Sequence, residues 1–236
     1  MVESTNGFLI VDKPGGITSR AAVNRIQRQL PRRTKIGHTG TLDPLATGVL
    51  VLCIGTATKL ADRVQALGKS YETCIRLEAT SDTDDADGAV TEMTSTIAPT
   101  IETIRSALQS FEGTIMQTPP AFSAIKIGGQ RSYDLARRGQ AKELTARPVT
   151  VYRIKMIRFE WPFLDLTIDC GKGTYIRSIA RDLGQMLGMG GLVQTLRRTR
   201  VGPFAAEQGI GIEADLDTIR ANLIPPSILP DSPPAT

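Results

Sequence analysis

Apolar residues along the chain fall into two rhythms. Phe8-Leu9-Ile10-Val11 is an unbroken apolar run stopped by Asp12-Lys13-Pro14-Gly15-Gly16, and residues 49–54 form a second; both read as buried strands. Between them Ala22, Val23, Ile26 and Leu30 recur at spacings of one, three and four, with Arg20, Arg25 and Arg28 off the stripe, which predicts a helix capped by Thr18 or Ser19. Another helix is predicted near 57–67. Over 71–77, Tyr71, Thr73, Ile75 and Leu77 alternate with Glu72, Cys74 and Arg76, the period of a half-buried strand.

Ile101, Ile104, Leu108 and Phe111 then mark a helix. Residues 116–147 carry no strong period and hold Pro119-Pro120, Gly128-Gly129 and Gly139; they read as a long excursion with a short helix near 133–138. Strands are predicted at 149–159 and 163–170. A Gly171-Lys172-Gly173 turn leads into a helix near 174–187, whose stripe is Ile176, Ile179, Ala180, Leu183 and Leu187, and a strand follows at 192–201. The proline-dense tail after Pro225 is expected to be unstructured. Strands in sequence-adjacent pairs with helices interspersed favour an α+β fold with a mixed, largely antiparallel sheet flanked by helices.

Composition narrows the class. The 236 residues suffice for one large domain, and 41% hydrophobic content can fill a core. A net charge of +4 permits a polyanionic partner without demanding one. Cys53, Cys74 and Cys170 are odd in number and lack any CxxC pair, so neither a disulfide framework nor a zinc knuckle is expected. No secretory leader is visible, and no apolar run approaches the ~18 residues of a membrane span. A cytoplasmic protein with no membrane contact is expected. No apolar stripe is left over for a partner helix, so it is expected to be a monomer.

Most sequence signatures of catalysis are missing. The acidic loop at 82–88 fails as an EF-hand: with Gly88 at the sixth position, Thr83 and Thr94 would stand where the principal carboxylates belong. There is no Walker A sequence, GxGxxG or GxSxG, and the lone His38 has no partner for a metal pair. No cofactor and no metal are expected. What remains is Gly37-His38-Thr39-Gly40-Thr41-Leu42-Asp43-Pro44-Leu45-Ala46-Thr47-Gly48. On its own Asp43-Pro44 could be a turn or a helix cap. It is unusual in setting one carboxylate, among three glycines and three threonines, between a basic cluster (Arg32, Arg33, Lys35) and a buried strand.

That segment closely resembles the catalytic motif of the TruB family of bacterial tRNA pseudouridine synthases. Further segments resemble the family in order: Asp12-Lys13-Pro14, Ala57-Thr58-Lys59, Lys69-Ser70-Tyr71, Thr83 to Gly88, Lys172-Gly173-Thr174-Tyr175-Ile176-Arg177 and Leu196-Arg197-Arg198. Together they span roughly residues 7–230. Glu78 departs from the glycine usual before the acidic loop.

The resemblance implies a pseudouridine-synthase fold with an RNA-binding insertion. Residues 1–224 would be the catalytic domain, 116–147 the insertion within it, and 225–236 a proline-rich tail. The small C-terminal RNA-binding domain of the PUA type, carried by most members, is expected to be absent. The implied reaction converts uridine at position 55, in the T arm of tRNA, to pseudouridine without a cofactor or guide RNA. Asp43 would be the catalytic carboxylate, Arg177 the arginine that orients it, and Tyr71 the aromatic residue against the base. Tyr175 and Leu196 would line the base pocket, and His38 would fill the space the flipped base leaves. Lys13 and Lys59 would contact substrate. Lys126, Arg131, Arg137 and Arg138, with Phe122 and Tyr133 interleaved and Lys142 and Arg147 nearby, would grip the RNA backbone. Three alternatives stay open: the guide-RNA-dependent relative, a non-catalytic RNA-folding chaperone, and a two-carboxylate N-glycosidase that releases free uracil.

Overall fold

The computed structural model describes residues 5–93, 97–123, 125–128, 130–140 and 144–229. Its elements begin with β1 (Gly7–Lys13), α1 (Ser19–Gln29), β2 (Ile36–His38) and β3 (Thr47–Ile54). A 3-10 turn (Gly55–Leu60) leads into α2 (Ala61–Ala66), followed by β4 (Lys69–Leu77). The hairpin of β5 (Ala79–Ser81) and β6 (Val90–Glu92) precedes α3 (Ile101–Gln109) and β7 (Gly113–Gln117). A smaller hairpin, β8 (Lys126–Ile127) and β9 (Gln130–Arg131), runs into α4 (Ser132–Arg137). The chain continues through β10 (Arg147–Glu160), β11 (Phe163–Cys170), α5 (Ile176–Met186), β12 (Gly191–Val201), β13 (Phe204–Ala205) and α6 (Leu216–Ala221). Pairing is mixed and mostly antiparallel, in an α+β arrangement. Two compact units are present: one holds the chain up to Tyr71 and from Arg197 onward, the other Glu72–Leu196.

In the first unit β3 is the central strand. β1 lies antiparallel to it, from Gly7 opposite Ile54 to Lys13 opposite Gly48. The start of β3 pairs in parallel with the end of β12, Thr47 with Arg197 and Gly48 with Arg198. Val49, Val51 and Cys53 face a core that includes Phe8, Ile10, Val64, Val201 and Phe204, with the rings of Phe8 and Phe204 edge-on at 5.4 Å. Leu50, Leu52 and Ile54 are equally buried, so β3 is covered on both faces, as its unbroken apolar run requires. Helix α1 buries Ala22, Val23 and Ile26, and its cap is Thr18, whose Oγ1 accepts from the Ala21 N–H at 3.1 Å. The predicted helix over 57–67 is instead a 3-10 turn followed by the short α2.

Two features near the C-terminus differ from expectation. Helix α6, capped by the Asp215 carboxylate, is too short to show a period. Beyond Pro225 the chain makes a 3-10 turn, Pro226–Ile228, and Leu229 packs into the core. An apolar anchor therefore orders the first part of a tail whose prolines predict no structure; 230–236 lie outside the described residues.

In the second unit β10 and β11 form a long antiparallel hairpin, and β7 extends it along the first part of β10, Gln117 opposite Arg147. β4 lies beside β11 and shows the predicted alternation, with Thr73, Ile75 and Leu77 buried. Helix α5 buries Ile176, Ile179, Ala180 and Leu183. The excursion at 116–147 has local order of its own. Ser132 donates its hydroxyl to the Ala121 carbonyl at 2.6 Å, and Tyr133 N–H donates to the Ser123 carbonyl at 3.0 Å, seating α4 one residue earlier than its pattern predicts.

Candidate active site

The loop between β2 and β3 carries Asp43, and nearly every turn of its backbone is tied down. Thr39 N–H donates to the Val51 carbonyl at 3.0 Å. Arg198, only 1% exposed, donates Nη2 to the Gly40 carbonyl at 3.1 Å and Nε to the Val49 carbonyl at 2.7 Å. Ser19 Oγ donates to the Leu42 carbonyl at 2.9 Å and accepts from the Leu42 N–H at 2.8 Å. The Pro44 carbonyl accepts from the Gly16 N–H at 2.9 Å and from Lys13 Nζ at 3.3 Å. Asp43 itself is half-buried, and its carbonyl accepts from the Ala46 N–H at 3.1 Å. Leu42, buried, anchors the loop from beneath.

Lys13, expected at the substrate, is fully buried, and its ammonium also donates to the Pro14 and Ile17 carbonyls, each at 2.8 Å. A buried cation must be compensated by acceptors, and these acceptors include the backbone of the Asp43 loop. Lys59, by contrast, is exposed on the 3-10 turn, and His38 is half-buried at the end of β2. Tyr71, on the buried face of β4, is 8% exposed.

In the second unit the turn before α5 is built around Tyr175. Gln117 grips both polar atoms of its backbone: Oε1 accepts from Tyr175 N–H at 2.8 Å, and Nε2 donates to the Tyr175 carbonyl at 3.1 Å. The Arg147 guanidinium lies over the Tyr175 ring, 5.6 Å from its centroid, and donates to the Gly173 carbonyl at 3.1 Å. This couples the cation to the aromatic face.

Arg177 follows in the first turn of α5. It is only 4% exposed. Its Nη1 donates to the Thr83 carbonyl at 2.8 Å and its Nη2 to the Phe122 carbonyl at 2.9 Å, while Nε lies 3.6 Å from Asp85 Oδ2. Asp85 is buried as well and also accepts from Thr83 Oγ1 and Asp87 N–H. One turn further, Arg181 pairs with Asp84 at 3.0 Å and donates to the Thr118 carbonyl at 2.8 Å. Burial pushes the Asp84 carboxyl above its ordinary value, against the opposing pull of Arg181 and Arg177. The acidic loop is thus the counter-charge for the arginines of α5. Sequence reasoning excluded calcium there but missed this pairing, which joins residues some ninety positions apart.

Leu196 is buried on β12. Of the basic residues in the insertion, Lys126 is the register partner of Arg131, Arg137 closes α4, and Arg138 is exposed just beyond it; Lys142 lies outside the described residues. Among the described residues no three His, Cys, Asp or Glu side chains converge to hold a metal, and no described helix is long and apolar enough to cross a membrane. Sequence reasoning missed the contacts that Ser19 makes to Leu42 and Gln117 makes to Tyr175. The local pattern marks Ser19 only as a possible cap, and nothing around Gln117 points to Tyr175.

Solved structures share this architecture. A Cbf5-Nop10-Gar1 complex aligns with a TM-score of 0.71 at 28% identity over 94% of this chain and 60% of that one. The archaeal box H/ACA sRNP Nop10-Cbf5 complex aligns at 0.66 and 27%, over 91% and 54%. The present chain therefore spans little more than half the length of these neighbours. Its fold, together with 48% identity to a curated tRNA pseudouridine synthase B, defines a pseudouridine synthase, an isomerase. Residues 28–176 match the TruB family pseudouridylate synthase N-terminal domain, and residues 177–221 match the tRNA pseudouridylate synthase B C-terminal domain. Curated proteins called tRNA pseudouridine synthase B are similar: one from Mycobacterium sp. (strain KMS) is 48% identical over 91% of this chain and 73% of its own length. Another, from Cereibacter sphaeroides, is 49% identical over 88% and 68%. The chain belongs to the TruB family of pseudouridylate synthases.

Proposed function

We propose that this chain isomerises the uridine at position 55 in the T arm of tRNA to pseudouridine, with Asp43 as the catalytic carboxylate. The observation that carries the reading is the single half-buried carboxylate held on a loop whose flanking residues are pinned on both sides. Membership of the family, whose similar members are called tRNA pseudouridine synthase B, supports the substrate. An ionised carboxylate can attack the ribose C1′ or abstract a sugar proton, and either releases the base. The base then turns and re-bonds through C5, the C5 proton leaves, and N1 takes up a proton. All other atoms of the uridine are retained. Tyr71 would stack against the uracil.

The base must first leave its stack, which costs a few kcal/mol. Stacking on aromatic side chains returns about 1–3 kcal/mol per base, and contacts from Lys59, Arg138 and the rest of the insertion to phosphates would supply the remainder. The enzyme would act as a monomer without guide RNA. The test is tritium release from tRNA and from a bare T-arm hairpin, each carrying 5-tritiated uridine, using the native chain and Asp43→Asn. Release by the native chain alone, with no free uracil, is expected. Release from tRNA only after addition of a guide RNA would instead favour the mode of the H/ACA assemblies. Binding without release would leave an RNA-folding role.

A further inference from the structure

Asp43 has little backbone support of the ordinary kind, since residues 39–46 belong to neither helix nor strand. The direction of its Cα–Cβ bond depends on the peptide planes that lead into it. A peptide plane is rigid, so fixing a polar atom of each plane fixes the chain between them. The plane entering Leu42 contains the Leu42 N–H, and the plane joining Leu42 to Asp43 contains the Leu42 carbonyl. One hydroxyl, Ser19 Oγ, bonds both, at 2.8 Å and 2.9 Å. A serine hydroxyl has one proton to donate and lone pairs to accept, so both bonds form together. Ser19 is itself only 2% exposed and is the first residue of α1, a rigid base for the contact. On the other side of Asp43 the Pro44 ring restricts φ, and its carbonyl is held by the Gly16 N–H.

We propose that Ser19 is a positioning residue for the Asp43 carboxylate: its hydroxyl locks the two peptide planes that lead into Asp43. The inference rests on the reading of Asp43 as the catalytic group. The same serine is not needed to cap α1, because Thr18 does that. The two neighbours thus separate helix stability from loop geometry.

The test compares kcat, KM and thermal midpoint for Ser19→Thr, Ser19→Val and Thr18→Ala in the full chain, with Asp43→Asn alongside. Threonine and valine have the same shape and differ at this site only in the hydroxyl. Because misplacement by about 1 Å can cost on the order of 10²-fold in rate, Ser19→Val is expected to lose about 30–100-fold in kcat relative to Ser19→Thr, with KM within about twofold. Thr18→Ala is expected to lower the thermal midpoint with kcat kept. Equal kcat for the threonine and valine variants would overturn the proposal, as would a kcat loss in Thr18→Ala that matches its loss of stability and equals that of Ser19→Val. Activity surviving in Asp43→Asn would instead sink the reading on which the proposal rests.

Discussion

A Cβ placed on Gly48 would lie 2.2 Å from the carbonyl oxygen of Arg198, nearer than any side chain can sit. Gly48 is where the Asp43 loop becomes β3, and the pairing that begins β3 sets it between Lys13 on β1 and Arg198 on β12. Those two residues are the buried cations whose donors hold the loop carbonyls of Pro44 and Gly40. The missing side chain lets the strand backbones close up, and the closeness brings both cations within reach of the loop.

Gly48 also has φ +95°, which non-glycine residues rarely adopt. Backbone strain and overlap cost about 1–3 kcal/mol each. Gly48→Ala is therefore expected to lower stability by about 3 kcal/mol or more. Urea unfolding followed by circular dichroism would measure it, and a loss under about 1 kcal/mol would contradict the geometry.

Breaking the Arg177–Asp85 pair should be costly, because both side chains are nearly inaccessible. Removing one partner of such a pair costs about 3–5 kcal/mol. Asp85→Ala is expected to fall in that range by denaturant titration, although Asp85 lies outside the predicted catalytic set. An effect typical of an exposed pair, below about 1 kcal/mol, would show that the charge is not buried in solution.

Asp84 supplies a pH dependence. Its carboxyl is raised in the folded chain, so folded protein binds this proton before unfolded chain does. Its share of stability is fully present below the ordinary value of 3.8 and is lost as pH rises through the raised folded value. The stability of the native chain minus that of Asp84→Asn should accordingly be larger near pH 4 than at pH 7. A difference that does not change with pH would refute the shift.

Burial also governs the thiols. Cys53 is pushed up to about 11, and Cys74 to about 12 by burial with the Asp165 contact adding to it. Only the thiolate reacts with alkylating agents, so at pH 8 both should be modified about 100-fold or more slowly than in urea. Peptide mass spectrometry of iodoacetamide-treated protein would report this, and rapid labelling of either residue in folded protein would count against it.

The insertion predicts a salt signature. Every phosphate deprived of its arginine should reduce the slope of log binding constant against log salt by about 0.7–0.9. Arg137→Gln with Arg138→Gln is expected to weaken tRNA binding and flatten that slope. Weaker binding with an unaltered slope would mean that neither arginine meets a phosphate.

Much of the fold is legible in the sequence. The alternation of Tyr71, Thr73, Ile75 and Leu77 is the buried face of β4, and the stripe of Ala22, Val23 and Ile26 is the buried face of α1. Such periods are visible because neighbours in sequence decide them. Helix α6 is not legible, since six residues complete too few turns to show a stripe. The roles of Ser19 and Arg198 are hidden because their partners, Leu42 and Gly40, are 23 and 158 positions away.

Sequence alone determined the class of fold and the run of strands and helices, and it singled out the loop proposed to carry the reaction. Only the tertiary structure decided what each charged group faces. It turned Lys13 and Arg198 inward onto loop carbonyls, buried Arg177 against Asp85, and made the acidic loop the counter-charge of α5. The reason is physical: local periodicity dictates which side of an element is buried. Whether a cation there meets water, a carbonyl or a carboxylate depends on strands and loops brought together from distant parts of the chain.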